Sequence, residues 1–441
     1  MKISILLPYK ENFSPEYPGA VSLFVYETTR ISKFKKDITI FGNTEFKKIF
    51  NLKYINIDLK KNLFSSQTKN YVKKFIQLEK KNDSTIIEIH NRPSYIQILS
   101  KEFNKKIFTL YFHNDPLSMD GSKTIIERKN LLKICYKIIF NSAWSKKRFL
   151  EGMENKFVNS DKLLIFHQSA KKGSLNLINK KKKWITFVGK LNKAKGYDIF
   201  SSSIKRILNK YPDWTAKIIG DEKREKIILK HKRAEILGFR KHNEVIDIFK
   251  KTNIAVACSR WEEPFGRTSL EASANGCAVI ITNKGGLPET ITNAKILSVL
   301  SEESLTKEIS NLIKNLSVRK KLPSYISQVP TILIKHHEEL QLLSGEDADK
   351  WFSMAEQSNI AIKPLNTNPD YSPQTQLNNE LNNTASNTNN TTSNVNDTLQ
   401  NIDTLKPVND MLEGFSGGYS YIDNNSTCNN NNNYSFLNNT E

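Results

Sequence analysis

Cysteine is scarce. Cys135, Cys258, Cys277 and Cys428 are the four in 441 residues, with no C-x-x-C pair and no secreted spacing pattern. A disulfide framework is excluded and a reducing compartment fits. Long apolar runs are also missing. The start, Met1 to Pro8, meets Lys10, Glu11 and Glu16 too soon for a signal peptide. No later window approaches the ~20 apolar residues of a membrane span. Any membrane contact is therefore expected to be peripheral, with a cytoplasmic location at the inner face of the cell membrane. Arginine is outnumbered by lysine, and the arginine–aromatic interleaving of single-strand binders is absent, so nucleic acid is not an expected partner.

Apolar residues make up only 38% of the chain, and the deficit is concentrated. From about Asn366 onward, Asn-rich runs such as Asn429 to Asn433 sit among Ser and Thr, a composition that cannot support a core. The sequence therefore predicts a disordered tail over 358–441. Acidic residues are likewise thin in the first 340 positions. The last 101 residues hold three of the 66 basic side chains and twelve of the 45 acidic ones, leaving 63 against 33, or about +30, on the remainder. Such a field by itself favours anionic partners, whether phosphates, acidic lipids or nucleic acid, and says nothing about fold.

What is present is a repeated alternation. Lys2 to Pro8 is a short apolar run stopped by proline, and a helical stretch follows over Ala20 to Ile31. Strand-like runs recur at Asp37 to Phe41, Thr85 to Ile89, Ile107 to Phe112 and Lys137 to Phe140, with helical segments at Tyr71 to Glu79, Tyr95 to Glu102 and Ile125 to Cys135. Continuous apolar strands alternating with helices predict a parallel sheet covered on both faces. Lys-rich positions 170–183 carry little that is apolar and read as a linker. The pattern then restarts at Trp184 to Gly189 and continues at Thr215 to Ile219, Ala234 to Leu237, Ile254 to Ala257 and Ala278 to Thr282. The division is two doubly wound α/β domains, 1–169 and 184–325, facing a cleft. A helical segment over 326–357 is expected to pack back on the body.

The densest chemistry lies in Glu262-Glu263-Pro264-Phe265-Gly266-Arg267-Thr268-Ser269-Leu270-Glu271. The run follows an apolar strand and opens a helix, whose free amides and dipole suit a phosphate. Glu263 belongs to the turn and can reach a sugar, while Glu271, two helical turns on, can bond hydroxyls such as those of a ribose. A second run, Gly189-Lys190-Leu191-Asn192-Lys193-Ala194-Lys195-Gly196, ends a strand with a glycine and offers two cations to a diphosphate. In the first half, Gly19 ends a long loop at a helix start and permits close approach of a phosphate. His90, in Glu88-Ile89-His90-Asn91-Arg92, and His113, in Phe112-His113-Asn114-Asp115, sit at strand ends.

The Glu263–Glu271 spacing resembles the E-x7-E motif of glycosyltransferase family 4 (group 1), retaining enzymes of the GT-B fold. Gly189 to Gly196 resembles that family's G-R/K-x4-K-G run, with Lys190 where arginine is common. The resemblance implies a metal-independent hexosyltransferase using a nucleotide diphosphate sugar, a UDP-sugar before GDP-mannose, as co-substrate with no further cofactor. Its implied acceptor is a glycan or lipid-linked glycan in lipopolysaccharide or other envelope polysaccharide synthesis. It assigns Glu263 and His113 to the donor sugar, Glu271 to the ribose, Lys190 and Lys195 to the diphosphate, and Gly19, Gly189, Phe239, Phe265, Gly266, Arg267 and Thr268 to donor binding. His90, Arg92 and Asp115 are candidate acceptor contacts. No D-x-D triad falls within the two α/β halves, which agrees with a reaction that needs no metal. The rival reading is a catalytically silent basic protein of the same fold that binds anionic membrane or glycan.

Overall fold

The computed structural model describes residues 1–59, 66–158, 160–170, 181–291 and 293–321. The expected tail, the helical segment over 326–357 and most of the linker lie outside the described residues.

The first domain alternates strands and helices in chain order: β1 (Ile3–Leu6), α1 (Ala20–Ile31), β2 (Ile38–Gly42), β3 (Tyr54–Asn56), α2 (Gln67–Asn82), β4 (Ile86–His90), α3 (Pro93–Glu102), β5 (Ile107–Phe112), α4 (Ile125–Ile134), β6 (Lys137–Phe140), α5 (Ala143–Leu150) and β7 (Leu163–Ile165). All its strands are parallel, in the order β3-β2-β1-β4-β5-β6-β7. Ile3 to Leu6 pair with Ile38 to Phe41 on one side and Ile86 to Ile89 on the other. The central strands are buried on both faces, which is why they read as continuous apolar runs.

The second domain runs β8 (Lys182–Val188), α6 (Tyr197–Lys210), β9 (Thr215–Ile219), β10 (Ala234–Ile236), α7 (His242–Lys251), β11 (Thr252–Ala257), α8 (Arg267–Ala274), β12 (Ala278–Thr282), β13 (Lys295–Leu297), α9 (Glu302–Lys314) and α10 (Leu316–Lys321). Its order is β10-β9-β8-β11-β12-β13, again all parallel. In each sheet the order reverses beside the first strand of the domain. At such a switch point the loops leaving neighbouring strands diverge, and a ligand crevice opens at their carboxyl ends.

β8 begins two residues before the Trp184 start that composition suggests. Lys182 pairs with Thr252 where these two central strands begin, so lysines that look like linker are strand. The strands missed by pattern, β3, β7 and β13, are three-residue edge or near-edge pieces. α5 gives an equally weak pattern, being eight residues with four polar ones, Ser145 to Arg148, in a row.

Candidate functional site

A cavity of about 890 Å³ opens between the carboxyl ends of the two sheets and is lined by both domains. Its volume falls in the range of ordinary small-molecule and cofactor sites.

On the second-domain side, β11 leads into the loop that carries Glu263 and then into α8. Gly266 makes the entry possible. Its φ is +108°, and a Cβ there would come within 2.3 Å of Leu287 Cδ1. Phe265, Gly266, Arg267 and Thr268 all line the cavity, at the amino end of α8. Lys195 ends a 3₁₀ turn in which its own amide donates to Asn192 Oδ1 at 3.1 Å, and its Nζ lies 2.5 Å from Glu263 Oε1. Lys190 shares that wall, and burial together with neighbouring Arg224 lowers its pKa. Behind them, β8 and β9 approach so closely that Gly220 at φ +130° leaves 1.8 Å between a hypothetical Cβ and Gly189 O. That contact requires glycine at position 220, directly after β9. Gly189 itself lines the cavity, as does Phe239, whose ring packs 4.7 Å from that of Tyr17 across the cleft.

Glu271 is placed differently from the other expected residues of this domain. It lies on α8 behind the cavity wall and is 1% exposed. Its Oε1 accepts hydrogen bonds from Arg267 Nε at 2.6 Å and His242 Nε2 at 2.9 Å. Burial alone would raise the Glu271 pKa, but the charges of His242 and Arg267 outweigh it and hold the carboxyl low. His242 is held high because Glu271 outweighs the cost of its burial. Arg267 also reaches the first domain, where Nη2 lies 2.9 Å from Glu27 Oε2 on α1. Arg267 Nη1 and Glu271 Oε2 are buried with no protein partner. A donor and an acceptor left open on neighbouring side chains can be satisfied by a ligand that carries both, such as a hydroxyl.

In the first domain, His113 and Arg92 line the cavity and His90 does not. Asn91 Oδ1 accepts from the amides of His113 and Asn114 at 3.2 and 3.1 Å, and Asn141 Nδ2 donates to His113 O at 2.9 Å. Three adjacent strand ends thereby fix one turn. Burial, His90 and Arg267 together drive the His113 pKa well down, so the ring is neutral. His90 sits behind it, stacked on Tyr111 at 4.5 Å. Asp115 is also off the cavity. It caps the turn at Pro116–Ser118 through Leu117 N and pairs with Arg148 Nη2 at 3.0 Å, which consumes its oxygens in holding α5. His90 and Asp115 therefore do not reach a cleft-bound acceptor here. Gly19 does line the cavity, and the carboxylate of Glu11 abuts it while accepting from Ser22 N at 2.9 Å, at the amino end of α1.

Further ties cross the cleft. Ser142 Oγ donates to Pro264 O at 2.6 Å, inside the Glu263 loop. Glu289 accepts from Ala143 N at 2.6 Å and Trp144 N at 2.9 Å, capping α5 from the opposite domain, and His167 Nε2 lies 2.9 Å from the same carboxylate. Glu27, Asn91, Asn141, Ser142 and Gln168 were not singled out in the sequence. Each acts on a partner remote in the chain, and only its place at a strand end or on a helix hinted at a role.

The family model described as "Glycosyl transferases group 1" matches residues 170–329. Spore coat protein SA of Bacillus subtilis (strain 168) is 21% identical over 361 residues, covering 74% of this chain and 93% of that protein. The lipopolysaccharide core biosynthesis mannosyltransferase LpsB of Rhizobium meliloti (strain 1021) is 31% identical over 121 residues, 25% of this chain and 34% of the relative. Among solved structures, Anabaena HepE in complex with UDP-glucose superposes with a TM-score of 0.60 at 14% identity, over 77% of this chain and 99% of that one. Two facing parallel-sheet domains of this kind are the GT-B fold.

Proposed function

We propose that the chain is a group 1 glycosyl transferase, as the family match over residues 170–329 supports, and that it moves a hexose from a nucleotide diphosphate sugar to a glycan or lipid-linked glycan, retaining anomeric configuration and needing no metal. The observation that carries this reading is the meeting of Lys195 and Glu263, 68 residues apart, in a cavity wall that His113 also lines. As the anomeric C–O bond to the diphosphate breaks, positive charge grows on the sugar and negative charge on the phosphates. Lys190, Lys195 and the first amides of α8 stabilise the phosphates, and Glu263 and His113 hold the sugar. The acceptor attacks from the face the phosphate leaves, and its proton goes to that phosphate. Glu271 binds the ribose once Oε2 is reached, and Phe239 borders the base.

A UDP-sugar is the favoured donor, supported by the UDP-glucose complex of HepE, with GDP-mannose second, supported by the mannosyltransferase relative. For the acceptor we favour an envelope glycan at the cytoplasmic face of a membrane. The support is the basic body, about +30 over the first 340 residues, and the lipopolysaccharide role of that relative. No helix among the described residues is long and apolar enough to cross a membrane, so the contact would be peripheral.

Glu263→Ala tests the reading. Hydrolysis or transfer of UDP-glucose or GDP-mannose should fall by roughly 100-fold or more, the scale of losing a transition-state contact. EDTA should leave the wild-type rate unchanged. A variant that retains full turnover overturns the assignment of Glu263. A wild-type chain that binds donors, turns none over and floats with anionic vesicles favours the silent binding protein instead.

A further inference from the structure

Behind His113 lies a line of buried polar groups that the reaction as described does not use. Gln168 Nε2 is 3.2 Å from His113 Nδ1, His113 Nε2 is 3.0 Å from His90 Nδ1, and His90 Nε2 is 3.3 Å from Glu88 Oε1. All four side chains are buried, between 1% and 7% exposed. His113 and Gln168 line the cavity, while Glu88 and His90 stand behind it within β4.

We propose that Glu88 and His90 are positioning residues, which fix the proton of His113 on Nε2 and so keep its Nδ1 an acceptor, held by Gln168 Nε2–H until a hydroxyl of the donor sugar displaces that amide and donates in its place. This rests on the reading of His113 as a sugar contact. The argument is a count of protons. A neutral imidazole has one N–H and one lone pair, and each ring here has both nitrogens engaged. An ionised Glu88 can only accept, so His90 must carry its proton on Nε2. His90 Nδ1 is then a lone pair and can only accept from His113 Nε2–H. His113 Nδ1 is left as an acceptor, which Gln168 Nε2–H satisfies. Every group has one consistent role, set from the carboxylate outward. The reverse assignment would require Glu88 to be a neutral acid that donates. Stacking of His90 on Tyr111 and the edge contact of Phe24 with His113, 5.0 Å between ring centroids, hold both planes in place. A carboxylate that orients an imidazole through its second nitrogen is a common device for fixing tautomer and direction.

The test uses full-length protein with ¹⁵N-labelled histidine, the His113 signals being assigned by loss in His113→Asn. The imidazole ¹⁵N shifts report the tautomer without any donor. Wild type should carry the His113 proton on Nε2. Glu88→Gln can turn either end of its amide to His90, so it should give a mixed or reversed His113 tautomer. Its kcat on UDP-glucose or GDP-mannose should drop about 10- to 100-fold, the usual scale for losing such a partner. UDP affinity, which involves no sugar, should be unchanged. His90→Phe keeps an aromatic ring on Tyr111 but breaks the line, and should lose kcat in the same way while melting near the wild-type temperature. A wild-type proton on Nδ1, or a Glu88→Gln chain with unaltered tautomer and kcat, overturns the proposal. If His113→Asn turns donor over as fast as wild type, it is the sugar-contact reading that fails, and the tautomer result still decides the positioning of His113.

Discussion

Replacing Arg267 by Met removes a guanidinium from between two carboxylates while keeping much of its bulk. The side chains of Arg267 and Glu271 are 4% and 1% exposed, and Glu27 is 20% exposed. Removing one partner of a buried ion pair leaves an uncompensated charge and costs about 3–5 kcal/mol. For a domain of this size each kcal/mol lowers Tm by roughly 2–4 °C, so a fall of about 6–20 °C is expected near pH 8. The sign of the pH dependence follows from Glu271. In wild type its lowered pKa contributes stability above the unfolded value of about 4.3, lost as pH falls through the folded value. In the variant the carboxyl is buried with only His242 beside it. His242 helps below about 6.5 and fades as pH rises through its own raised value, so the penalty is greatest at alkaline pH. The gap between variant and wild type should narrow below about pH 5 as Glu271 takes up a proton. Differential scanning fluorimetry across pH 4.5 to 8 reads this directly. A Tm fall under about 3 °C at pH 8, or a gap that does not narrow on acidification, would refute the reasoning.

Two further outcomes are expected. Glu289→Ala loses three hydrogen bonds to a carboxylate that join the domains, one exposed and two part-buried, so the pair should splay. Small-angle scattering should give a larger radius of gyration and limited proteolysis faster cleavage, and unchanged values of both would count against a clamp at α5. Gly220→Ala should destabilise far more than Gly238→Ala, although both residues have positive φ. The first added Cβ meets Gly189 O at 1.8 Å and the second meets nothing within 4 Å, so Gly238 should show only the backbone strain of about 1–3 kcal/mol. Equal melting temperatures for the two variants would overturn the argument from strand contact.

The parallel sheets were legible because strands buried on both faces favour unbroken apolar runs, as in Ala278 to Ile281. The edge strands were not. Tyr54–Asn56 is only half-buried, and a three-residue piece needs no run of apolar residues. The second-domain site was readable from local order, since Glu263, Gly266 and α8 lie within one continuous turn and helix. Glu271 was readable as a residue of interest, but its withdrawal behind the wall was not, because that depends on Glu27, 244 positions earlier, holding Arg267. His90 and Asp115 show the same limit. Their strand-end positions are real, but His90 is turned towards Glu88 and Asp115 towards Arg148, pairings that local spacing does not encode.

Lys181 enters the second domain with its ammonium buried, donating to Phe249 O at 2.9 Å and Asn275 O at 2.7 Å, while Asn253 Nδ2 reaches the carbonyl of Lys182 at 3.2 Å. The chain is therefore bolted to the ends of α7 and α8 just before β8 begins. A bolt there has a mechanical consequence. Lys181 is fixed to the second domain, and β8 turns with that domain as a rigid lever. The glycine and two lysines beyond the far end of that strand move in step with the Glu263 loop, so opening the cleft carries both groups away from His113 together and leaves their mutual spacing intact.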